Sequence, residues 1–395
     1  MLSFEQILNW LREDDPARLQ RLWDQADTVR GQHVGQAVHL RGLVEISSYC
    51  ERSCHYCGLR ASNRQLPRYR VTRDEVLRSA QEIVRRGYGT IVLQAGEDSG
   101  LDCDWLCPLV REIKRQTPLA VTFSLGERSE RELFLLREAG ADRYLLRFET
   151  SNLDLFHRIH PPRIVGDTSV VDWDSDSTPG DGRDSVPTHG RDGEPAVDST
   201  RIRQLGVARR LGFEVGSGVM VGIPGQTYRD LARDIQLFHE LDLDMIGIGP
   251  FIPHPRTPLG RTGDQIRAAT EDQVPADELM TYKAVALTRL VRPRANIPCT
   301  SALATINGRQ GRILCLQRGA NVIMPNMTPE KYRRQYEIYP NKAGSSQTLA
   351  ESDAVIKQQI HQAGRTVGRG RGDSPNLLAH AATDLQTTSV ERSSS

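Results

Sequence analysis

Residues 40–57 read LRGLVEISSYCERSCHYC, an apolar run that leads within a few residues into three closely spaced cysteines. The run Leu40–Ile46 is rich in apolar and β-branched residues, which favours a buried strand. Cys50, Cys54 and Cys57 follow it with the spacing C-x3-C-x2-C. The segments that come after this strand indicate the fold, and the three thiols indicate the chemistry.

A short strand pattern followed by a longer helical one repeats after residue 40. Helix starts are marked by capping boxes at Thr72 with Glu75 and at Ser129 with Glu132, and Lys283–Leu290 has the pattern of an amphipathic helix. Eight such units over roughly 290 residues predict an α/β protein with a closed (β/α)8 barrel, and a doubly wound open sheet is the alternative. The seven further predicted strands are Thr90–Ala95, Ala120–Leu125, Arg143–Phe148, Val215–Val221, Met245–Phe251, Asn296–Thr300 and Asn321–Met324.

The chain divides into a helical flank at residues 1–39, the barrel at 40–342 and a polar tail at 343–395. An insertion at 163–200 interrupts the barrel. It holds eight Asp, one Glu and three Arg, a net charge of −6, and with so few apolar residues we expect it to be flexible. The tail is predicted to be flexible as well, with at most one short helix near residues 350–362.

Composition excludes several classes of protein. The 395 residues carry 51 Lys and Arg against 50 Asp and Glu, a net charge of +1, so a dedicated nucleic-acid binder is not expected. No apolar run approaches the roughly 20 residues of a membrane span. We therefore expect a soluble cytoplasmic protein without a nucleic-acid or membrane partner. Its seven cysteines, three of them clustered, indicate metal binding or catalysis rather than disulfides.

Three thiolates on one loop suggest an iron–sulfur cluster with an open position. A [4Fe–4S] cube normally takes four thiolates, so three would leave one iron free to bind a small molecule. The alternative is a structural zinc site formed by the three cysteines with His55 or another ligand. Structural zinc usually recruits a second pair of ligands from a separate segment, and the sequence has no such pair.

The cysteine spacing, with aromatic Tyr56 beside the last cysteine, resembles the signature of radical S-adenosylmethionine (SAM) enzymes. Further motifs resemble the [FeFe]-hydrogenase maturase HydE family, a biotin synthase-like branch of that superfamily. These motifs are EIS at 45–47, CGLR at 57–60, VLQAGED at 92–98, RYLLRFET at 143–150, MVGIPGQT at 220–227, GPFIPHP at 249–255 and NVIMPN at 321–326.

The resemblance implies a radical SAM barrel in which Cys50, Cys54 and Cys57 bind one [4Fe–4S] cluster and the fourth iron binds SAM. It implies reductive SAM cleavage and action on a small sulfur-containing or iron-bound substrate, in assembly of the dithiolate bridge of the hydrogenase cofactor. Companion hydrogenase maturases and a low-potential electron donor are the implied partners. No cysteine follows Cys315, so the second cluster of some HydE proteins is not expected.

Candidate SAM contacts combine charge with resemblance. Arg147 and Glu149 alternate along a strand, so their side chains share one face; the guanidinium suits the SAM carboxylate and the carboxylate suits its ammonium. An ordinary ion pair is the alternative for these two residues. By resemblance the SAM set also includes Tyr56, Gln94, Arg201, Met245, Met324, Tyr336 and Ile338, and a substrate cavity includes Thr122, Ser124, Thr300 and Ser301. No catalytic residue is assigned.

Two other functions are compatible with the cysteine loop. One is another radical SAM reaction of the biotin synthase or methylornithine synthase type. The other is a non-catalytic iron–sulfur scaffold or electron carrier. A carrier would need a fully ligated cluster and would have no use for Arg147, Glu149 and Arg201.

Overall fold

The structure is a computed structural model, and it describes residues 2–161, 200–308 and 310–377. The predicted insertion at 163–200 lies outside the described residues except for Thr200, and so does the end of the predicted tail, residues 378–395.

Eight parallel strands form a closed barrel, as predicted. Neighbouring strands pair in sequence order, and the first strand pairs with both the second and the eighth, which closes the ring. A ninth strand lies beside the start of the first. The strands are β1 Ala37–Ser47, β2 Thr90–Ala95, β3 Ala120–Ser124, β4 Arg143–Leu145, β5 Glu214–Val221, β6 Met245–Pro250, β7 Pro298–Cys299, β8 Val322–Ile323 and β9 Thr366–Val367.

Helices surround the barrel, and side chains cap many of their first turns. Thr72 and Ser129 form the expected capping boxes with Glu75 and Glu132. None of the helices within the described ranges is long and apolar enough to cross a membrane. The helices are α1 Phe4–Arg12, α2 Pro16–Val34, α3 Arg73–Arg85, α4 Cys103–Gln116, α5 Glu130–Glu138, α6 Leu153–Ile159, α7 Thr200–Arg210, α8 Tyr228–Glu240, α9 Pro258–Ala269, α10 Glu278–Val291, α11 Ser301–Ile306, α12 Gly311–Gln317, α13 Glu330–Arg333 and α14 Leu349–Gln362.

Alternation along β1 decides which side chains enter the barrel. A Cβ at Gly42 would lie 2.4 Å from Ile83 of α3, so this position faces the helices. Arg41 points the other way and donates to the sulfur of Met245, on β6 across the barrel, at 2.8 Å. Because side chains alternate, Glu45 also faces the interior, close to the end of β1 where the cysteine loop begins.

The strands differ in how far regular pairing extends. β2 has its predicted bounds, whereas β7 and β8 shrink to two residues each. β4 ends at Leu145, yet the amides of Leu146 and Glu149 still donate to carbonyls of β5 at 2.9 and 3.1 Å. The barrel therefore keeps its hydrogen bonding while the strand ends adapt to the site.

The segment Lys283–Leu290 is helical, within α10, but the prediction that it is amphipathic is wrong. Every residue from Met280 to Arg289 is buried. The cause is that α10 packs against β6 on one side and against α1, α2 and α8 on the others. Its charge at Lys283 is satisfied internally, because the ammonium donates to the carbonyl of Leu11 at 3.0 Å and pairs with Asp14 at 3.0 Å.

The polar tail is more regular than its composition suggests. Its helix α14 spans Leu349–Gln362, close to the predicted 350–362, but the chain then forms β9 and crosses the base of the barrel. There Asp373 pairs with the fully buried Arg143, and the carbonyl of Gly372 accepts hydrogen bonds from Arg41 at 2.9 Å and Asn296 at 3.1 Å. Buried charged groups inside the barrel hold this segment, which sequence composition does not reveal.

Candidate active site

The cysteine loop follows β1 at the carboxyl end of the barrel and is hydrogen-bonded to segments far away in sequence. The amide of Glu51 donates to the Glu97 carbonyl at 2.8 Å, that of His55 to Ile159 at 2.8 Å and that of Gly58 to Ile338 at 2.9 Å. Contact with these three segments holds a loop that has no regular structure of its own. All seven cysteines of the chain are free thiols.

Close approach of β2 to this loop requires glycine at position 96. A Cβ there would lie 2.5 Å from the Cβ of Cys50 and from the Tyr49 carbonyl, and 3.0 Å from the Cys50 sulfur. Such separations are too short for any side chain. The motif at 92–98 thus has a steric role beside the first cysteine.

Burial makes the three thiols weak acids in the absence of metal. Burial raises the pKa of Cys50 and Cys54, and burial together with the neighbouring Cys50 raises the pKa of Cys57 to about 12. Besides burial, the charges of Cys57 and Cys50 raise the pKa of Cys54, so the three thiols lie close together. Iron binding would have to displace their protons, because a cation stabilises the thiolate.

The three thiols can be compared with the needs of a cube. Among the described residues, no three His, Cys, Asp or Glu side chains are arranged to hold a single metal ion. In a [4Fe–4S] cube each thiolate binds a different iron, so Cys50, Cys54 and Cys57 could each hold one iron.

A ring of alternating charges, which sequence reasoning missed, stands beside Cys54. Arg52 contacts Glu97 and Glu127, each at 2.6 Å, and Arg201 contacts the same carboxylates at 3.2 and 2.9 Å. Although burial acts against a charged guanidinium, Tyr56 and the two carboxylates raise the pKa of Arg201. The sequence signal for this ring was that Arg52 lies within the cysteine loop and Glu97 within the motif at 92–98.

Arg201 lies at the site, but its nitrogens are already engaged. Besides the two carboxylates, it donates to the Arg147 carbonyl at 2.7 Å and contacts His160 Nε2 at 2.7 Å. Burial and the charge of Arg201 hold the pKa of His160 well below its usual range, so this imidazole is neutral and accepts from the guanidinium. The geometry supports a role for Arg201 in holding the loop.

Arg147 and Glu149 form the ion pair that was the alternative to SAM binding, with the Nε of Arg147 at 3.1 Å from the Glu149 carboxylate. Nη2 of Arg147 donates to the Val219 carbonyl at 2.6 Å, whereas Nη1 has no hydrogen-bond partner within the described ranges. Glu149 has a left-handed backbone with φ of 63°, an uncommon state for this residue type that concentrates at functional sites. Its charge raises the pKa of Tyr56 and Cys57, in addition to burial, so the pair lies beside the cysteine loop.

Several predicted residues lie together in the upper part of the barrel. Gln94 donates to the Tyr336 hydroxyl at 3.3 Å. Besides burial, the charges of Cys57 and Cys50 raise the pKa of Tyr336, so its ring lies near the cysteine loop. On β3, Ser124 lies opposite Gln94 in the strand register, and the buried Thr122 hydroxyl lacks a partner among described groups.

Of the remaining predicted residues, Thr300 and Ser301 follow β7, Met324 follows β8, and Ile338 lies beyond α13, where its carbonyl accepts from Gly58 of the cysteine loop. Ser301 shares a hydrogen bond with the Tyr339 hydroxyl at 2.7 Å, and Thr300 caps α11. Met324 and Ile338 are half-buried. Met245 is not brought to the site: it begins β6 opposite Gly216, at the base of the barrel beside Arg41.

A buried ion pair closes the upper barrel and was also missed by sequence reasoning. Lys342 contacts Glu45 and lies 4.8 Å from the centre of the Tyr336 ring. Asn326 donates to the same carboxylate at 3.2 Å. The available signal was the single acidic residue of β1, which lies on the interior face of that strand.

Comparisons with known proteins agree with this geometry. A family model described as the radical SAM superfamily matches residues 44–238. The chain is 40% identical over 351 residues to the "[FeFe] hydrogenase maturase subunit HydE" of Thermotoga maritima, covering 89% of this chain and 88% of that protein. It is 24% identical to the 3-methylornithine synthase of Methanosarcina acetivorans, over 95% of this chain and 91% of the relative.

Solved structures show the same fold. Methylornithine synthase aligns with a TM-score of 0.71 at 21% identity, over 93% of this chain and 95% of that structure. HydG, a maturase of the [FeFe]-hydrogenase, aligns with a TM-score of 0.70 at 16% identity, over 97% of this chain and 77% of that structure. At these identities the likeness concerns the barrel alone. The identity and coverage shared with the Thermotoga maritima protein are decisive, and the chain belongs to the HydE family of the radical SAM superfamily.

Proposed function

We propose that this radical SAM maturase cleaves SAM reductively at a [4Fe–4S] cluster bound by Cys50, Cys54 and Cys57. We further propose that it acts on a small sulfur-containing substrate in assembly of the dithiolate bridge of the [FeFe]-hydrogenase cofactor. The relative in Thermotoga maritima is named as a subunit of that maturation system. The observation that carries the proposal is the three-thiol loop at the mouth of a closed barrel with a charged upper interior.

Cys50, Cys54 and Cys57 would hold the cluster, which when bound would supply the electron for cleavage of a carbon–sulfur bond of SAM. Arg147 can offer its free Nη1 to the SAM carboxylate, and Glu149 can accept from the SAM ammonium. Their mutual ion pair keeps both side chains at the interior face near the cysteines. Tyr56 is half-buried beside Cys54 and Glu149.

Gln94, Thr122 and Ser124 offer uncharged hydrogen-bonding groups to a ligand inside the barrel. The Thr122 hydroxyl is a strong candidate, because a buried hydroxyl without a partner costs free energy that a bound ligand recovers. Ser301 and Thr300 approach from β7. Met324, Tyr336 and Ile338 would complete the wall, whereas Met245 is too close to the base to take part.

Reconstitution of the protein under anaerobic conditions tests the proposal. Loaded protein should hold about four irons per chain and convert SAM into 5′-deoxyadenosine under reduction. Cys54→Ala should abolish the bound cluster, and Cys103→Ala, which changes a half-buried thiol on α4, should keep it. Equal losses in both variants would contradict the ligand assignment, and protein purified with zinc would contradict the cluster.

The same assay separates the alternatives. An iron-loaded protein that leaves SAM intact would be a scaffold or electron carrier. SAM cleavage stimulated by a methylornithine or biotin precursor would favour the related synthases, whereas stimulation by a sulfur-bearing or iron-bound species from companion maturases would favour the dithiolate role. We also propose a cytoplasmic location, where a reducing environment protects thiolate ligands.

A further inference from the structure

The outer face of the cysteine loop forms the floor of a groove. The amide of His55 donates to Ile159 of α6 at 2.8 Å, and its carbonyl accepts from the Leu259 amide of α9 at 3.0 Å. These two hydrogen bonds hold the half-buried loop between the two helices. The groove, here called the cysteine-loop groove, has a volume of about 390 Å³ and is lined mainly by apolar atoms of Leu155, Ile159, Pro224, Leu259 and Ile266.

Basic side chains stand at this groove. Arg158 lines it, and Arg261 lies on α9 between the lining residues Leu259 and Thr262. Both are exposed, and Arg60, which interacts with Arg261, is half-buried. None of the three makes an ion pair with an acidic group among the described residues, although α6 and α9 each carry one aspartate. Arg60, Arg158 and Arg261 are here called the arginine rim.

The arginine rim lies close to the cluster ligands. Arg60 follows Cys57 by three residues, and its amide donates to the Cys57 carbonyl at 3.2 Å. Burial lowers the pKa of its guanidinium, and the charges of Cys54, Arg261 and Cys57 also affect it. Arg60 therefore connects the thiols with the exposed rim. Electron transfer between proteins weakens steeply with distance, so a donor has to dock where the cluster is nearest to the surface.

We propose that the cysteine-loop groove and the arginine rim dock a small acidic one-electron carrier protein. An apolar centre with a charged rim is the usual anatomy of a specific interface. Arginines without an ion-pair partner among the described residues can attract an acidic partner and orient it during encounter. This proposal rests on the proposed function, because only a reductive enzyme needs such a carrier.

Binding and turnover test the proposal together. The probe is flavodoxin with an acidic surface, titrated against the iron-loaded protein by calorimetry at low and moderate salt. The double variant R158E/R261E should raise the Kd by about tenfold and flatten its salt dependence. The control R21E changes an exposed arginine of α2 outside the rim and should leave the Kd unchanged.

Turnover separates docking from catalysis. With reduced flavodoxin, the double variant should need a correspondingly higher carrier concentration for half-maximal SAM cleavage. With dithionite it should match the unmodified protein. A Kd that the double variant leaves unchanged, or that R21E changes equally, would overturn the docking proposal.

Two further outcomes are informative. If the acidic segment 163–199 of this chain occupies the rim instead, charge reversal would leave flavodoxin binding unchanged or tighten it, and the proposal would fail. Unmodified protein that cleaves no SAM with either reductant would refute the proposed function rather than the docking surface.

Discussion

Replacing Lys342 by methionine should destabilise the protein by about 3 kcal/mol, because it leaves a buried carboxylate without its counter-ion. The side chains of Lys342 and Glu45 are 4% and 1% exposed. Without Lys342, the carboxylate of Glu45 keeps only neutral donors, Asn326 at 3.2 Å and Thr328 at 3.5 Å. Breaking a buried pair costs about 3–5 kcal/mol, and these two remaining donors favour the lower end.

Urea unfolding of the metal-free protein under anaerobic conditions measures this cost. The control K357M removes an ammonium that is 36% exposed and pairs with Asp353 at 2.9 Å, so it should cost less than about 0.5 kcal/mol. The double variant E45Q/K342M removes both charges and should recover about 2 kcal/mol of the single loss. Equal effects of K342M and K357M, or simple additivity in the double variant, would refute the reasoning.

Three further predictions follow from the core and the site. Gly96→Ala should reduce iron content after reconstitution and cost about 1–3 kcal/mol, because its Cβ would lie 2.5 Å from that of Cys50; wild-type iron content would contradict this. Burial raises the pKa of Asp234 to about 7, against about 3.9 for the unfolded chain, so its contribution to stability is complete below about pH 4 and is lost as the pH rises to 7. The free energy of unfolding of Asp234→Asn, measured in urea, should therefore rise relative to that of the wild type by up to about 4 kcal/mol between pH 4 and pH 8. If the difference between the two proteins stays constant over this range, the Asp234 carboxyl is ionised in the folded protein. Arg143→Met should lower the free energy of unfolding by about 3 kcal/mol in the same assay, because Glu214 would retain only Arg41, at 3.9 Å, as a counter-ion. A loss below about 1 kcal/mol would show that water hydrates the base of the barrel.

Sequence patterns identified the barrel because local signals agreed along the chain. β2 was predicted to the residue, and β1, β5 and β6 differ only at their ends. The cysteine spacing and its place after β1 were equally local. Patterns failed where burial depends on distant elements: the charged residue Lys283 indicated an exposed helix face, but α1 covers that face.

The candidate site divides in the same way. Arg147 and Glu149 are two positions apart in sequence and lie together in the structure. Glu45 and Lys342 are separated by 297 residues, so no local pattern could join them. Met245 was assigned by resemblance, yet it begins β6 and therefore lies at the base of the barrel, away from the cysteine loop.

The crossing of the barrel base by residues 371–373 has a consequence for biosynthesis. Asp373 supplies a counter-charge for Arg143, and the carbonyl of Arg371 accepts from Thr90 at 2.7 Å. The ribosome therefore synthesises all eight barrel strands before it synthesises residues 371–373, which pair with the polar groups at the base of the barrel. Until then the charged groups at that end stay hydrated, and the final closure of the barrel base waits until residues 371–373 have been translated.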